Sequence, residues 1–158
     1  MDAVKIEGLT VSSTMIRRLL FEGDFEKVNQ YLGRPWTIGG VIKEGKKLGH
    51  TLGFPTINLE PDVLLPLRKG VYTCQIQLKE RSINGVCNVG YNPTFNGTAL
   101  KVEAHLFDFN ENIYGEHVNI MPIQFLRDET KFDSIEALKT QIRKDVNIAK
   151  SYFRKKSD

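Results

Sequence analysis

The stretch from residue 45 to residue 58 holds the side chains whose types and spacing are best suited to chemistry. Its glycines recur at every fourth position, with two lysines beside the first: Gly45, Lys46, Lys47, Gly49 and Gly53. A glycine-rich backbone approaches a ligand closely and adopts positive φ, which lets its amides contact phosphate oxygens. The spacing fits neither the P-loop pattern nor GxGxxG, so a phosphate-binding loop and a plain connecting loop are equally good interpretations of it.

Pro55 separates this loop from two small polar residues. Proline restricts its own φ and favours an extended conformation at the preceding Phe54, which predicts that a strand begins here. Thr56 and Asn58 are two positions apart and should therefore point to the same face of that strand. Their hydroxyl and amide oxygens suit Mg²⁺ if a nucleotide supplies phosphate ligands, although ordinary turn-capping residues would have the same composition.

Strands must position most of these residues. From Trp36 onward, strand-like runs alternate with turn-rich segments: WTIGGVIK, GVYTCQIQL, SINGVCNVG, TALKVEAHLFDF and EHVNIMPIQFL. Because no helices lie between them, five or six such strands predict an antiparallel barrel or sandwich and not a parallel sheet. Asp133 and Glu136 have the spacing of a capping box before one long C-terminal helix. Its apolar stripe is expected to pack against the barrel and to close one end. The stripe consists of Ile135, Leu138, Ile142, Val146, Ala149 and Phe153.

Composition narrows the class of protein. The net charge of +3 favours anionic ligands only weakly and does not call for a nucleic-acid surface. No apolar run approaches the ~20 residues that cross a bilayer, and the first ten residues lack a signal-peptide pattern. Cys74 and Cys87 lie in apolar or strand-like runs, which predicts buried free thiols. We therefore expect a cytoplasmic protein that binds small molecules, and neither nucleic acid nor a membrane.

GKKLGHTLGFPTIN resembles the GxKxGxxLGFPTAN motif of riboflavin kinases. Further similar blocks follow in that family's order and cover nearly all of residues 34–158: GVY, NVGYNPTF, VEAHLFDF, YG and FLRDETKF. Ile57 stands where the family usually has alanine, and we expect it to alter packing only. The resemblance implies a mainly β fold, a closed or split antiparallel Greek-key barrel of about six strands with a long C-terminal helix and a short helical lead-in.

The resemblance also implies an activity. Riboflavin kinases transfer the γ-phosphate of ATP to the terminal ribityl hydroxyl of riboflavin, which yields FMN. Thr56 and Asn58 match the threonine and asparagine that bind Mg²⁺ and the nucleotide phosphates in that family. The residues that match its ATP-binding loop are Gly45, Lys47, Gly49 and Gly53.

Two further residues acquire catalytic roles from the resemblance. Glu103 matches the glutamate that accepts the proton of the attacking hydroxyl, whereas taken alone it would be an exposed strand carboxylate on the same face as Lys101. Arg127 matches an arginine of the FxRxExxF segment and is expected in the loop before the last helix, near the flavin and the phosphates. The simpler alternative for Arg127 is a surface ion pair with Asp128 or Glu129.

The first 33 residues differ from the rest because they contain two short helical patterns. Asp24 is expected to cap the second helix and Gly33 to end it. VSSTMIR resembles the ISSTxIR motif that ends the adenylyltransferase domain of bacterial bifunctional FAD synthetases, but the HxGH element of that domain is absent. We therefore expect a helical remnant of that domain at 1–33, a riboflavin kinase domain at 34–158, and FMN adenylylation only in a longer protein.

Two other classes of protein are alternatives. A non-catalytic regulatory barrel that binds flavin or nucleotide would keep the same fold, but Glu103 together with Thr56 and Asn58 favours an enzyme. An oligonucleotide-binding barrel would need a basic face interleaved with exposed aromatic residues. The lysines cluster instead in one loop and in the terminal helix.

Overall fold

Six antiparallel strands close into a barrel. Two short helices pack against the barrel core, and the long C-terminal helix packs against the outer face. The computed structural model describes residues 4–6, 9–11, 13–44, 53–62, 67–94 and 97–157. The elements are β1 (Val4–Ile6), β2 (Leu9–Val11), α1 (Ser13–Glu22), α2 (Phe25–Leu32), β3 (Ile38–Lys43), β4 (Ile57–Pro61), β5 (Gly70–Leu78), β6 (Arg81–Thr94), β7 (Gly97–Leu106), β8 (His117–Arg127) and α3 (Ile135–Ser157).

The strand order in the barrel is β3-β4-β7-β6-β5-β8, and β8 pairs with β3 to close it. All of these pairs are antiparallel, which confirms the fold expected from the alternating runs and from the resemblance. The short strands β1 and β2 form a separate antiparallel pair that the sequence patterns did not predict.

Alternation along the strands decides which residues fill the barrel. In β7, Val102, Ala104 and Leu106 are buried, whereas Glu103 and His105 between them are only partly buried. The even-numbered side chains of β7 therefore point into the core, and the odd-numbered ones point to the outer face. The two cysteines are buried free thiols, as predicted.

Gly70 brings the beginning of β5 close to the end of β8. Its φ of +152° is rarely adopted by other residues, and a Cβ at this position would collide with the backbone carbonyl of Arg127. Because a side chain cannot fit here, glycine allows the two strands to approach at the point where β8 ends.

The helix α3 lies against the outer face of β6 and β5. The expectation that it closes a barrel end is wrong, because Val146 and Ala149 pack with Val86 in a small cluster outside the barrel. Ile135, which belongs to the predicted stripe, is 61% exposed. The helix cap also differs by one residue, since the Ser134 hydroxyl accepts the Ala137 N–H at 3.1 Å.

The helices α1 and α2 pack against the barrel interior. The predicted cap and stop are confirmed: Asp24 accepts the Lys27 N–H at 3.2 Å, and Gly33 has φ +72°. The ring of Phe25 in α2 contacts the ring of Tyr72 in β5 edge to face, and the ring centroids are 5.8 Å apart. The apolar residues of both helices belong to the same cluster as the barrel core, namely Ile16, Leu19, Leu20, Phe25 and Val28. Within the described residues, no helix is long and apolar enough to span a membrane.

Candidate active site

A cavity of about 570 Å³ lies between the outer face of the barrel and α3. Its walls come from β5, β6, β7 and the end of β8, from the segment 129–132 and from the first half of α3. Thr56, Glu103 and Arg127, three of the residues predicted from the sequence, line this cavity. Both the strands and the segment 129–131 supply polar side chains, while Leu138 and Ile142 of α3 supply an apolar wall.

A row of directly paired residues crosses five strands of the barrel at this cavity. The register pairs Asn58 with Glu103, Glu103 with Asn88, Asn88 with Val71, and Val71 with Arg127. Directly opposed residues of antiparallel strands point to the same face and have Cβ atoms about 5 Å apart. Asn58 and Glu103, distant in the sequence, are therefore adjacent on the outer face.

The Glu103 carboxylate faces the cavity and is paired with a lysine. Its Oε1 lies 2.8 Å from Nζ of Lys101, and the side chain of Glu103 is 29% exposed. The two residues share a strand face, as expected from their spacing. Because both side chains are partly exposed to solvent, this ion pair contributes little to stability.

Thr56 belongs to the walls of two cavities. The second one, of about 290 Å³, is lined by the segment 55–57, by the end of β7 and by residues 109–112. Thr56 precedes β4 by one residue, so the strand begins slightly later than predicted, and Asn58 lies within it. A group bound in either cavity could therefore contact Thr56.

The glycine-rich loop is only partly described. Gly45, Lys47 and Gly49 lie outside the described residues, so the predicted phosphate-binding role of these three stays a prediction. Gly53 has φ +87°, and no atom of the described residues lies within 4 Å of the position that a Cβ would occupy. At Gly53 the backbone conformation, and not a close approach, calls for glycine.

Arg127 was predicted in the loop before the last helix, but it is the last residue of β8. Its Nε and Nη2 donate to the Asp145 carboxylate at 3.0 and 2.9 Å, and Nη1 donates to the backbone carbonyl of Asp128 at 3.2 Å. The Arg127 and Asp145 side chains are 20% and 4% exposed. Arg127 therefore forms a largely buried ion pair that joins β8 to α3, in place of the surface pair considered from the sequence.

Comparison with known proteins identifies the family. A sequence model described as riboflavin kinase, or flavokinase, matches residues 32–153. The chain belongs to the riboflavin kinase family. It is 43% identical over 149 residues to a Haemophilus influenzae protein named bifunctional riboflavin kinase/FMN adenylyltransferase. That match covers 94% of this chain and 48% of the relative, so the chain spans about half the length of the curated relatives it matches.

Two solved structures have a fold similar to that of this chain. A Streptococcus pneumoniae protein, solved as a macrolide-efflux protein, has a TM-score of 0.79 and 34% identity over 92% of this chain and 48% of that chain. Riboflavin kinase from Trypanosoma brucei has a TM-score of 0.53 at 20% identity, over 77% of this chain and 81% of that chain. The second likeness shows a shared fold alone.

Three residues at the site of this riboflavin kinase family member were not predicted as site residues. Asn88 lies in β6 opposite Glu103, and strand register cannot be determined from one sequence. His105 lines the cavity two positions after Glu103, which the alternation of β7 could have indicated. Asp145 stood out only as a charged residue within the apolar stripe of α3.

The donors near Glu103 suit a hard cation. Thr56 and Asn58 offer a hydroxyl and an amide oxygen, and the adjacent Glu103 offers a carboxylate. Mg²⁺ prefers oxygen ligands and is commonly held by few protein groups together with substrate phosphates. Among the residues that the structure describes, no group of three His, Cys, Asp or Glu side chains could hold a metal ion.

Proposed function

We propose that this chain is an ATP:riboflavin 5'-phosphotransferase. In this proposal the γ-phosphoryl group of ATP moves to the terminal ribityl hydroxyl of riboflavin, which gives FMN and ADP. Membership of the riboflavin kinase family supports the reaction class. The names of the bifunctional relatives support synthesis of FMN as the kinase half of a two-step pathway.

One observation supports the proposal most directly: Thr56 lies in the wall of both cavities, and Glu103 faces the larger one. A phosphotransferase must bring a nucleotide and an acceptor together at one point. The larger cavity has the apolar and polar walls that a flavin with a ribityl chain requires, since ligand sites combine a mostly apolar lining with a few placed polar groups. The smaller cavity would take the nucleotide, whose phosphates reach Thr56.

The roles of the residues follow from the chemistry of phosphoryl transfer. The Glu103 carboxylate accepts the proton of the ribityl hydroxyl as the oxygen attacks the γ-phosphorus and ADP leaves. Thr56 and Asn58 would hold Mg²⁺, which neutralises phosphate charge when it is bound. The ATP-binding loop of Gly45, Lys47, Gly49 and Gly53 would contact the phosphates. Arg127 would shape the flavin side of the cavity.

The wider setting is part of the same proposal. The relatives are named for a second activity, FMN adenylyltransferase, and the chain matches about half of their length. We assign that second activity to a domain outside residues 1–158, with residues 1–33 as its remnant and 34–158 as the kinase domain. The expected location is the cytoplasm.

The test is a direct assay of FMN formation by chromatography, with ATP, Mg²⁺ and riboflavin as substrates. Wild-type protein should form FMN and no FAD. Glu103→Gln should lower kcat by about 10²- to 10⁴-fold, the usual contribution of a general base, while riboflavin still binds. Glu116→Gln is a matched control, because Glu116 is 33% exposed and also paired with a lysine, Lys79 at 3.3 Å.

Folded wild-type protein that binds riboflavin without forming FMN would overturn the kinase proposal and favour the regulatory barrel. Normal turnover by Glu103→Gln would show that the protein is a kinase in which a group other than Glu103 accepts the proton. An unchanged rate in Glu116→Gln shows that loss of a lysine-paired carboxylate is not sufficient to slow the reaction.

A further inference from the structure

Residues 54–56, which end in Thr56, lie outside the barrel ladder. The β4–β7 ladder begins with the pair Ile57 and Ala104, and no strand pairing is recorded for residues 54–56. Thr56 is therefore carried by a segment whose backbone is not held by the sheet. Its position relative to Glu103 must depend on other contacts.

Within the described residues, one hydrogen bond reaches this segment from the rest of the protein. Nδ1 of His105 lies 2.8 Å from the backbone carbonyl oxygen of Pro55. A carbonyl oxygen only accepts, so Nδ1 must carry the proton and donate it. The geometry thus selects the Nδ1–H tautomer of a neutral His105.

Two aromatic rings orient the imidazole of His105 for this bond. Phe54 contacts it edge to face with centroids 5.6 Å apart, and Phe107 does so at 5.9 Å. Phe54 and Phe107 also pack together with the buried Val86 and Ala149 under α3. The ring of His105 is therefore packed between groups that limit its rotation, and its donor atom points at Pro55.

We infer that His105 is a positioning residue of the phosphotransfer site, which acts by holding the Pro55 carbonyl and thereby placing Thr56 beside Glu103. His105 and Glu103 are two positions apart on the same face of β7, so one strand carries both the proton acceptor and the group that holds Thr56. The inference rests on the proposed function, because Thr56 is taken there to bind the nucleotide phosphates and the metal.

Three substitutions separate the hydrogen bond from the packing of the ring. His105→Phe keeps an aromatic ring between Phe54 and Phe107 but has no donor. His105→Asn keeps a donor near the position of Nδ1. His105→Gln has the same amide one bond further along the side chain, where it is misplaced for Pro55.

The first measurement is the binding of ADP with Mg²⁺ by calorimetry. His105→Phe and His105→Gln should weaken it by about three- to tenfold, as loss of one neutral hydrogen bond does, while His105→Asn stays within about twofold of wild type. In the kinase assay the KM for ATP should rise by a similar factor, and the KM for riboflavin should change by less than about twofold. His117→Phe is the control, because His117 is another strand histidine in a hydrogen bond, to Asp62 at 2.8 Å.

The second measurement needs no activity. Nitrogen-15 NMR of wild-type protein without substrates, with the His105 signals identified by their loss in His105→Asn, should show the neutral Nδ1–H tautomer. The Nε2–H tautomer overturns the inference. So does unaltered ADP and Mg²⁺ binding by His105→Phe, or binding by His105→Asn that is no tighter than by His105→Gln.

These measurements also distinguish the inference from the proposed function. Absence of FMN formation by wild-type protein counts against the kinase, while the tautomer and the ADP binding series still decide the role of His105. If His105→Phe does not fold, the tautomer and the comparison of His105→Asn with His105→Gln decide it.

Discussion

At the scale of single residues, Arg127 illustrates how a motif residue can have a structural partner that the motif does not contain. Four of its contacts are hydrogen bonds to Asp145 and to the Asp128 carbonyl, and Asp145 also accepts a bond from Gln141 at 3.0 Å. A guanidinium used in this way is well placed to hold α3 against the cavity. Within the described residues these bonds use three of its five N–H groups, so one N–H of Nη1 and one of Nη2 remain.

The ion pair predicts the behaviour of Asp145→Asn. Removing one partner leaves the other with an uncompensated charge, so we expect a loss of about 2 to 4 kcal/mol in the free energy of unfolding, below the full cost of a buried pair because Arg127 is partly exposed. Arg127→Gln and Asp145→Asn should lower kcat/KM by similar factors, and the kcat/KM of the double variant should be no lower than that of either single variant. Urea unfolding measures the free energy of unfolding, and the kinase assay measures kcat/KM.

A control for this pair is available on α1, where Arg18 and Glu22 form an exposed i,i+4 pair at 3.8 Å. Glu22→Gln should change stability little. If Arg127→Gln lowers kcat much more than Asp145→Asn does, Arg127 acts on the reacting groups and is not primarily a link to α3.

At the scale of elements, the helical lead-in is packed as part of the barrel. Phe25 is 3% exposed and contacts both Tyr72 and Trp36, whose ring centroid lies 6.3 Å away. The apolar stripes of α1 and α2 were visible in the sequence. Their partner was not, because a stripe shows which side of a helix is buried but not against what. The same limitation explains why α3 was expected at a barrel end.

Packing of α2 predicts that Phe25→Ala destabilises the whole domain. Loss of a buried phenylalanine costs about 3 to 5 kcal/mol, from the lost transfer free energy and the cavity left behind. Phe21→Ala, on α1, is the matched control: this ring is 55% exposed, so its removal should cost less than about 0.5 kcal/mol. Equal unfolding midpoints for the two variants in urea would show that the lead-in is not coupled to the barrel.

At the scale of the whole molecule, Thr56 lines both cavities, so that substrates bound in the two cavities would meet at this residue. The barrel holds this arrangement because β4 and β7 pair in one register, which places Asn58 opposite Glu103. A shift of β4 by one residue would turn the Asn58 side chain into the core, away from Glu103. The contact between Asn58 and Glu103 therefore depends on the closed sheet.

Ligand binding should stabilise this arrangement in a metal-dependent way. ADP with Mg²⁺ at about 100 times its Kd contributes about 2.7 kcal/mol, which for a domain of this size raises Tm by roughly 5 to 10 °C. Chelation of the metal should remove most of that increase. Thr56→Val, whose side chain has nearly the same shape, should also remove most of the Tm increase. The control Thr37→Val, at an exposed position, should keep the full increase. A full Tm increase in Thr56→Val would exclude Thr56 from the metal and phosphate site.

The sequence by itself indicated the barrel strands, the three helices and the candidate site residues. Period-two alternation indicated antiparallel strands, cap residues placed Asp24 and Gly33, and the motif blocks indicated Thr56, Asn58 and Glu103, because all of these depend on local order. Only the tertiary structure decided that Asn58 faces Glu103, that Asp145 holds Arg127, and that His105 holds Pro55. Each of these contacts joins residues far apart in the chain, and their pairing follows from strand register and helix packing, which local patterns do not specify.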